Sequence, residues 1–404
     1  MKVLAISYGY PPMSCPQAIQ VSRILSALPA EVHVIFSGDK EFPVDTTIGQ
    51  AENSVQLLEV PYLLPFWKKA LREGASRLGL KVVLQSPDYF IMWFWAAYKA
   101  ARKAITELSP DVIVTFGMPM SDHLLGLALK KKFNLPWVAH FSDPWIDNPF
   151  TQFSKATRAI NRFQEKKVIA AADRVIFTSP QAMDLVMGKY PAQWKEKSSY
   201  VGHAFNPKCY PEAGGDNRDV VVRYLGGFYP PRTPQPLINA LRLILDSTPE
   251  VLQGCRFELI GPIANVIKGD YADVGLPDEL LTFREPVSYA ESLELMRGAD
   301  ALLVIDAAEV PGIFFPSKLA DYIGANRPIL GMSDASGTSA GIIRSVGGRC
   351  ANASSTNECA QLLREFLADP KGITIDQQAA SLYEVNHVAS QFLSVLETVV
   401  GQQS

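Results

Sequence analysis

The stretch PGIFFPSKLADYIGANRPILG, residues 311–331, reads as a loop, a short helix, a tight turn and a strand. Phe315, Pro316 and Ser317 mark the start of the helix, because proline fits the first helical positions. Asn326 suits the turn that ends the helix, and an apolar run then begins the strand. The stretch therefore predicts one unit of an alternating α/β fold.

Two charged residues of this helix indicate a binding role. Lys318 lies in the first turn, where a cation opposes the helix dipole at a cost of about 0.3 kcal/mol or more. A bound phosphate would reverse that sign, because free backbone N–H groups and the ammonium would converge on one anion. Asp321 follows three residues later on the same side of the helix. A surface helix with an i,i+3 ion pair explains the same spacing, so spacing alone leaves both interpretations open.

The same alternation of strands and helices runs along the whole chain. At 404 residues the chain is too long for one ordinary core, and two domains are expected. An apolar strand opens the chain at residues 3–7, and the pattern restarts at Val220 after the polar, glycine-rich residues 211–219. Each half reads as a Rossmann-like parallel sheet with helices on both faces. We predict a first domain at residues 1–210, a second at 211–380 and a closing helix at 381–404.

Composition and charge restrict the class of protein. A hydrophobic content of 48% and a charged content of 20% suit a well-buried α/β protein, and a net charge of −3 argues against a nucleic acid partner. The five cysteines are scattered, which predicts reduced thiols in a cytoplasmic protein. The chain opens without a signal-peptide pattern, and its most apolar window, residues 90–98, is far shorter than the ~20 residues that span a bilayer.

Several kinds of site are not indicated by the sequence. There is no His-Glu-x-x-His, no cysteine–histidine cluster and no Asp-x-Asp pair suited to a donor-bound metal, so no metal site is predicted. Neither half shows Gly-x-Gly-x-x-Gly after its first strand, which disfavours a Rossmann dehydrogenase.

Residues 311–331 resemble the donor-nucleotide element of retaining glycosyltransferases with the GT-B fold, in the large family 4 group. The match is closest to the branch that reads Pro-Ser-Lys-Leu-x-Asp-Tyr, here residues 316–322, and residues 326–328 match the family's Gly-x-Pro turn. Ile313 departs from the pattern, because many members carry glutamate at that position. The resemblance covers nearly the whole chain and is weakest between residues 40 and 86.

The resemblance implies a fold and a chemistry. The fold is GT-B, with two Rossmann-like domains facing across a cleft and a C-terminal helix crossing back to the N-terminal domain. The first domain is expected to bind the acceptor and the second the nucleotide sugar. Transfer in such enzymes retains configuration and needs no metal ion. No cofactor is expected, because the nucleotide-diphosphate sugar is a co-substrate.

The donor-binding residues implied by the resemblance follow the carboxyl ends of strands, where ligands bind in open α/β sheets. Arg232 lies at the family's spacing from Gly226, so Arg232 and Lys318 would clamp the diphosphate and stabilise its growing negative charge. Asp321 would accept hydrogen bonds from ribose hydroxyls, and Val287 would pack the base. An exposed loop residue at 232 and an ordinary strand residue at 287 are the alternatives. The full predicted set is Ser14, Cys15, Gly226, Gly227, Arg232, Val287, Phe315, Ser317, Lys318 and Asp321.

Two loops of the first half complete the predicted site. Ser14 and Cys15 stand where relatives carry a pair of glycines, so backbone donation to phosphate is expected there without the closest backbone approach. Asp143, in a loop that follows the strand starting at Leu135, is the first candidate for a catalytic residue. His140, at the end of that strand, is the second, although a buried strand-end histidine is more often structural.

A basic and aromatic segment at residues 64–103 contrasts with the slightly acidic chain. Its first part, residues 64–81, carries five basic residues against the single acid Glu73, and aromatic residues continue from Tyr89 to Trp95. Such a segment fits the surface of an anionic membrane. A solvated helix beside a core segment explains it equally well.

The sequence therefore predicts a hexosyltransferase-type glycosyltransferase that moves a sugar from a nucleotide-diphosphate sugar to a glycan or lipid-linked glycan in cell-surface polysaccharide synthesis. It is expected in the cytoplasm, as a peripheral protein on the inner face of the cell membrane, with no nucleic acid partner. A GT-B nucleotide-sugar epimerase and a non-catalytic GT-B-like binding or scaffold subunit are the alternatives.

Overall fold

The structure is a computed structural model that describes residues 1–39, 42–48, 55–61, 86–212, 219–271 and 273–402. The chain divides into two compact units, of which the first comprises Met1–Gly202 with Asn386–Ser404 and the second His203–Val385. The first unit ends at Gly202 rather than at the predicted residue 210, because Phe205 forms a bridge with Glu384 of the second unit. Residues 213–218 of the predicted linker lie outside the described residues.

The first unit is built on a parallel sheet of seven strands. Its order, β3-β2-β1-β4-β5-β6-β7, reverses direction at the neighbours β1 and β4. The edge strand β3 is absent from the sequence-based prediction, because only its last residue is buried and its side chains do not alternate. The strands are β1 (Lys2–Ile6), β2 (Glu31–Ser37), β3 (Val55–Val60), β4 (Val112–Gly117), β5 (Trp137–Phe141), β6 (Arg174–Phe177) and β7 (Ser198–Tyr200).

Helices of the first unit cover its sheet. They are α1 (Pro16–Ser26), α2 (Phe94–Leu108), α3 (Ser121–Phe133), α4 (Lys155–Ala171), α5 (Pro180–Met187) and α6 (Ala192–Lys195). Helix α3 packs against both α2 and α4, and buried residues of the three helices join one core on one face of the sheet. The side chains of Ser154 and Ser179 accept hydrogen bonds from the first turns of α4 and α5, which starts each helix at a fixed residue.

The second unit repeats the same plan with six parallel strands. Its order, β10-β9-β8-β11-β12-β13, reverses at β8 and β11. The strands are β8 (Val220–Leu225), β9 (Cys255–Ile260), β10 (Leu281–Arg284), β11 (Ala301–Ile305), β12 (Ile329–Ser333) and β13 (Arg349–Asn352). The helices are α7 (Gln235–Ser247), α8 (Asn265–Lys268), α9 (Tyr289–Arg297), α10 (Ser317–Ala325), α11 (Thr338–Ser345), α12 (Thr356–Ala368) and α13 (Gln377–Ser381).

These two sheets confirm the predicted pair of Rossmann-like halves. In such sheets ligands bind beyond the carboxyl ends of the strands where the strand order reverses. The loops after β8 and β11 lie at that place in the second unit, and those after β1 and β4 lie there in the first.

The last helix, α14 (Val385–Gly401), belongs to the first unit from Asn386 onward. Phe392 on this helix is fully buried, and its ring centroid lies 6.1 Å from those of Phe116 on β4 and His140 on β5. The chain therefore returns to its first sheet after completing the second. No helix in the described part of the chain is long and apolar enough to cross a membrane.

Candidate functional site

Helix α10, from the opening stretch, forms where the sequence predicts it. It begins at Ser317 directly after Pro316 and ends at Ala325, before Asn326, whose φ of 54° is left-handed and tolerable for asparagine. The buried hydroxyl of Tyr322 accepts a hydrogen bond from the Leu225 N–H at 2.7 Å, which holds α10 against the end of β8. Sequence reasoning missed Tyr322, although it is the tyrosine of the Asp-Tyr pair in the matched branch.

Lys318, in the first turn of α10, carries its charge into the interior. The residue is partly exposed, but its Nζ is buried and, among the described residues, has no hydrogen-bond partner. This nitrogen lies 3.4 Å from the centroid of the Tyr224 ring, a cation–π contact. An aromatic face stabilises an ammonium electrostatically but leaves its N–H groups without a lone pair. The N–H donors of Lys318 are therefore available to an anion.

Two more charged residues lie at the reversal point of the second sheet. Arg232 follows β8 through a short loop, and Asp306 directly follows the neighbouring strand β11. Arg232 Nη2 lies 3.9 Å from Asp306 Oδ1, and Arg232 Nη1 donates to the Tyr229 hydroxyl at 3.2 Å. The Arg232 and Asp306 side chains are each only 13% exposed, so their interaction is weakly screened. Sequence reasoning missed Asp306 because no motif marks it.

The electrostatics of this group favour an anionic ligand. Burial lowers the pKa of Lys318 well below its ordinary value of 10.5, repulsion from Arg232 lowers it further, and Asp306 acts in the opposite direction. Two cationic side chains face one carboxylate, which leaves the group short of negative charge. A phosphate would supply that charge and would stabilise the protonated form of Lys318.

A glycine with a left-handed backbone keeps this space open. Gly226 has a φ of 145°, a conformation that L side chains rarely adopt, and a Cβ there would lie 3.2 Å from Lys318 Nζ. A Cβ at Gly227 would lie 3.4 Å from Pro262, an ordinary van der Waals contact, so a side chain could be accommodated at that position. The loop after β8 therefore approaches α10 closely with backbone alone, as a phosphate-binding loop requires.

Asp321 and Phe315 are both nearly buried, at 5% exposure. Asp321 Oδ1 accepts a hydrogen bond from the Tyr289 hydroxyl at 3.0 Å. The Phe315 ring lies 5.2 Å from that of His203, within the core of the second unit. Both residues therefore have structural contacts, and their donor-binding roles stay predictions.

Val287 precedes a helix, and Ser317 begins one. Strand β10 ends at Arg284, so Val287 lies beyond the strand, two residues before α9 begins, and packs partly buried against the core. Ser317 is the first residue of α10 and is partly buried. Contact with a base or a phosphate at these positions stays a prediction.

His140 is buried in the first unit, 4% exposed, with both ring nitrogens lacking a hydrogen-bond partner among the described residues. Its ring lies 5.0 Å from that of Phe116 and 6.1 Å from that of Phe392. This burial lowers the pKa of His140 to about 4, so the imidazole is neutral near neutral pH. A neutral, enclosed ring is poorly suited to carry a proton to solvent.

The loop that carries Asp143 is held by a buried carboxylate. Glu165 on α4 accepts hydrogen bonds from the Ile146 N–H at 3.1 Å, from Lys189 Nζ at 2.6 Å and from the Tyr190 hydroxyl at 2.6 Å. Asp143 is partly buried at the carboxyl end of β5. Its backbone is therefore held in place beside the reversal point of the first sheet.

Ser14 and Cys15 precede α1 at the end of the loop that follows β1. The Ser14 N–H donates to the Pro43 carbonyl at 2.7 Å, which uses one donor that a phosphate could otherwise take. Burial raises the pKa of the Cys15 thiol, so this cysteine is a poor nucleophile. Across the described residues, no group of three or more His, Cys, Asp and Glu side chains could hold a metal ion.

Replacing Lys318 by methionine should stabilise the ligand-free chain. Removing a buried N–H donor group to which no described residue offers an acceptor should raise the free energy of unfolding by about 1–3 kcal/mol. The gain should shrink as pH rises toward 10.5. Between the lowered pKa of Lys318 in the folded chain and its ordinary value of 10.5, the unfolded chain binds a proton that the folded chain has lost, so the wild type becomes more stable as pH rises. Denaturant unfolding of both proteins at neutral and alkaline pH measures the difference.

Lys371→Met is the matched control, because Lys371 is exposed on the same unit. It should change stability by less than about 0.5 kcal/mol at either pH. A Lys318→Met chain that is less stable than the wild type at every pH would contradict the assigned burial.

A protein-family model matches part of the chain. Residues 18–195 match the family model described as a glycosyl transferase 4-like domain. No curated protein matches the sequence.

Solved structures share the fold over nearly the whole chain. A lipopolysaccharide outer core galactosyltransferase, WaaB, in apo form is 11% identical with a TM-score of 0.60, covering 98% of this chain and 99% of that chain. A structure described as trehalose-6-phosphate from E. coli bound with UDP-2-fluoro glucose is 12% identical with a TM-score of 0.63, covering 98% and 99%. A glycosyltransferase from Rickettsia africae is 10% identical with a TM-score of 0.65, covering 99% and 98%. The chain therefore has the GT-B fold that its sequence predicts, and its residues 18–195 match a glycosyl transferase 4-like domain.

Proposed function

We propose that this chain is a glycosyltransferase that takes its sugar from a nucleotide-diphosphate sugar. The observation that carries the proposal is the buried Nζ of Lys318, which has no hydrogen-bond partner among the described residues. A buried ammonium without a hydrogen-bond acceptor costs several kcal/mol, so its presence favours a ligand that supplies an acceptor. A diphosphate fits because it brings negative charge and several acceptor oxygens to one place.

The chemistry of transfer explains why two cations are needed. As the bond between sugar and phosphate breaks, negative charge grows on the β-phosphate of the leaving nucleotide. Arg232 and Lys318 would stabilise that charge more in the transition state than in the ground state, which is the condition for catalysis. Their low exposure strengthens the effect, because few water molecules screen them.

The remaining predicted residues take supporting roles in this proposal. Asp321 would accept hydrogen bonds from the ribose, which requires its carboxylate to share or leave the Tyr289 hydroxyl. Asp143 would be the active-site carboxylate of the first unit, and neutral His140 would pack beside the substrate rather than transfer a proton.

The finer features of the proposal rest on the family resemblance. They are retention of configuration, independence from metal ions, and an acceptor that is a glycan or lipid-linked glycan in cell-surface polysaccharide synthesis. The epimerase and the non-catalytic subunit are the alternatives. All three bind a nucleotide, and only the transferase moves the sugar to an acceptor, so product analysis separates them.

A peripheral position on the inner face of the membrane is the last part of the proposal. Residues 64–85 of the basic and aromatic segment lie outside the described residues. In the described remainder, Trp95 is 73% exposed at the start of α2, and Tyr89 and Met92 are exposed nearby. Lys99, Arg102 and Lys103 follow on the same helix, with Glu107 the acid near its end. Exposed aromatic residues with cations suit an anionic bilayer surface.

Nucleoside diphosphate binding tests the clamp. Lys318→Ala and Arg232→Ala should each weaken that binding by about 1.5–3 kcal/mol, the range for hydrogen bonds to charged groups. Calorimetry with a panel of nucleoside diphosphates measures it. Lys371→Ala and Arg349→Ala remove exposed cations of the same unit and should leave affinity unchanged. Unchanged affinity in both clamp variants would remove the donor-site assignment.

Asp143→Asn keeps the shape of the side chain and removes its charge. It should lower sugar transfer, or slow background hydrolysis of the donor, about 100-fold or more while nucleotide affinity changes little, because the charge acts mainly in the transition state. Turnover assays and calorimetry on the same samples separate the two effects. Asp184→Asn is the control, since that carboxylate is 60% exposed. If the wild type binds donor without turning it over and the variant is indistinguishable, the scaffold alternative is favoured.

Vesicle co-sedimentation tests the basic and aromatic segment at residues 64–103. The chain should bind vesicles that contain anionic lipid, and binding should fall at high salt because ionic contacts are screened. Reversing Lys68, Lys69 and Arg72 to glutamate, or changing Trp95 to serine, should remove most of it. Tyr200→Ser, at an exposed aromatic residue of the same unit, is the control. An absence of binding at low salt would leave only the solvated-helix interpretation.

A further inference from the structure

Asp306 is an acidic side chain that interacts with both cations of the candidate donor site. Its Oδ1 lies 3.9 Å from Arg232 Nη2, and both side chains are 13% exposed. Burial lowers the pKa of Lys318, Arg232 lowers it further, and the negative charge of Asp306 opposes both effects. Asp306 therefore stabilises the charged forms of the two basic side chains in the ligand-free protein.

The backbone is held in place on both sides of this ion pair. The Asp306 N–H donates to the Met332 carbonyl at 2.9 Å, which continues the pairing of β11 with β12. The Tyr229 N–H donates to the Arg232 carbonyl at 3.0 Å, which closes a tight turn. The fold therefore sets where the two charges start from, and a change in their separation requires movement of the side chains.

The Arg232–Asp306 ion pair is longer than a hydrogen bond. Charge-assisted hydrogen bonds join nitrogen and oxygen at about 2.7–2.9 Å, well below the 3.9 Å of this pair. Arg223 and Glu258 in the same sheet provide the contrast, because Arg223 Nε donates to Glu258 Oε2 at 2.6 Å. An arginine that is attracted to a carboxylate without a hydrogen bond to it can turn its N–H groups to another anion at a smaller cost.

The product of sugar transfer is more anionic than the donor. When the bond between the sugar and the β-phosphate oxygen breaks, that oxygen stays on the phosphate. The β-phosphate then carries close to one further negative charge at neutral pH, because the second pKa of a phosphate monoester is about 6. Two cations alone would bind this product more tightly than the donor and slow its release. A carboxylate beside them repels the product more than the donor and opposes that effect.

We propose that Asp306 is an internal counter-ion that a diphosphate displaces from Arg232, and that it weakens product binding and so speeds product release. The inference rests on the proposed donor site and adds to it a residue that acts against the ligand. In the ligand-free protein Asp306 stabilises the two cations. In the complex the same charge repels the leaving nucleoside diphosphate.

Calorimetry on the full chain tests the sign of this effect. Asp306→Asn keeps the shape of the side chain and removes its charge. This variant should bind pyrophosphate and nucleoside diphosphates at least about tenfold more tightly than the wild type. Without ligand it should unfold at a lower temperature, because two nearby cations lose their counter-ion. A purely structural role for Asp306 would lower stability and affinity together.

Product release gives a second measurement. In Asp306→Asn the nucleoside diphosphate should dissociate about tenfold more slowly, and its affinity should rise more than that of the intact nucleotide sugar. Turnover should fall without a rise in KM for the donor, because release becomes slower. Asp306→Glu restores a carboxylate and should return product affinity to about the wild-type value.

Asp278→Asn is the matched control, since it removes an exposed acid of the same unit with the same change in net charge. It should alter pyrophosphate affinity by less than about twofold, because water and salt screen that charge. Asp306→Ser also removes the charge, and it replaces Asp306→Asn if the asparagine chain does not fold.

The possible outcomes separate this inference from the donor-site proposal. Weaker or unchanged pyrophosphate binding by the neutral variants would overturn the inference, since Asp306 would then position Arg232 for the ligand or take no part in binding. An equal gain in Asp278→Asn would also overturn it, by assigning the gain to net charge. A gain for pyrophosphate without binding of any nucleoside diphosphate would support competition between Asp306 and an anion, and it would remove the donor-site proposal.

Discussion

The candidate site of the second unit depends on a buried ammonium to which none of the described residues offers a hydrogen-bond acceptor. Lys318 Nζ is held over the Tyr224 ring, and Tyr322 fixes the helix that carries it by bonding to the end of β8. Gly226 leaves room for the nitrogen where a Cβ would crowd it. Each of these features lowers the freedom of the ammonium without giving it an acceptor. The arrangement is therefore pre-organised for an anion, and the cost of burial is carried by the fold before a ligand arrives.

Local signals in the sequence predicted much of this fold and part of the site. Pro316 and Asn326 bound α10 because a proline at a helix start and a left-handed residue at its end are local properties. The strand-end rule correctly brought the loop with Arg232 and the start of α10 to one edge of a sheet. The rule depends only on the alternation of strands with helices and on parallel pairing of the strands. The periodicity of apolar residues and the order of the elements along the chain indicate both.

The sequence could not show which side chains surround the charged groups of the candidate site. Tyr224 and Asp306 come from neighbouring strands, and their approach depends on a strand order that residue types do not reveal. Edge strand β3 escaped notice because Leu57 and Leu58 are exposed, which breaks the alternation that marks a half-buried strand. The domain boundary was placed late because Phe205 pairs with a residue nearly at the end of the second unit.

The positive charges of this chain occupy two environments that respond differently to salt. Arg232 and Lys318 are desolvated, so dissolved ions screen them weakly and their action is set by the low dielectric around them. The five basic residues of α4 are all exposed to water, where a Debye length of about 8 Å at physiological ionic strength limits their reach. Salt can therefore weaken the attraction of the α4 cations for an anion, while Arg232 and Lys318 keep most of their attraction for a phosphate. Both groups of cations can occur in an acidic chain because neither depends on the net charge. Arg232 and Lys318 act through their burial, and the α4 cations act through their local number on one helix.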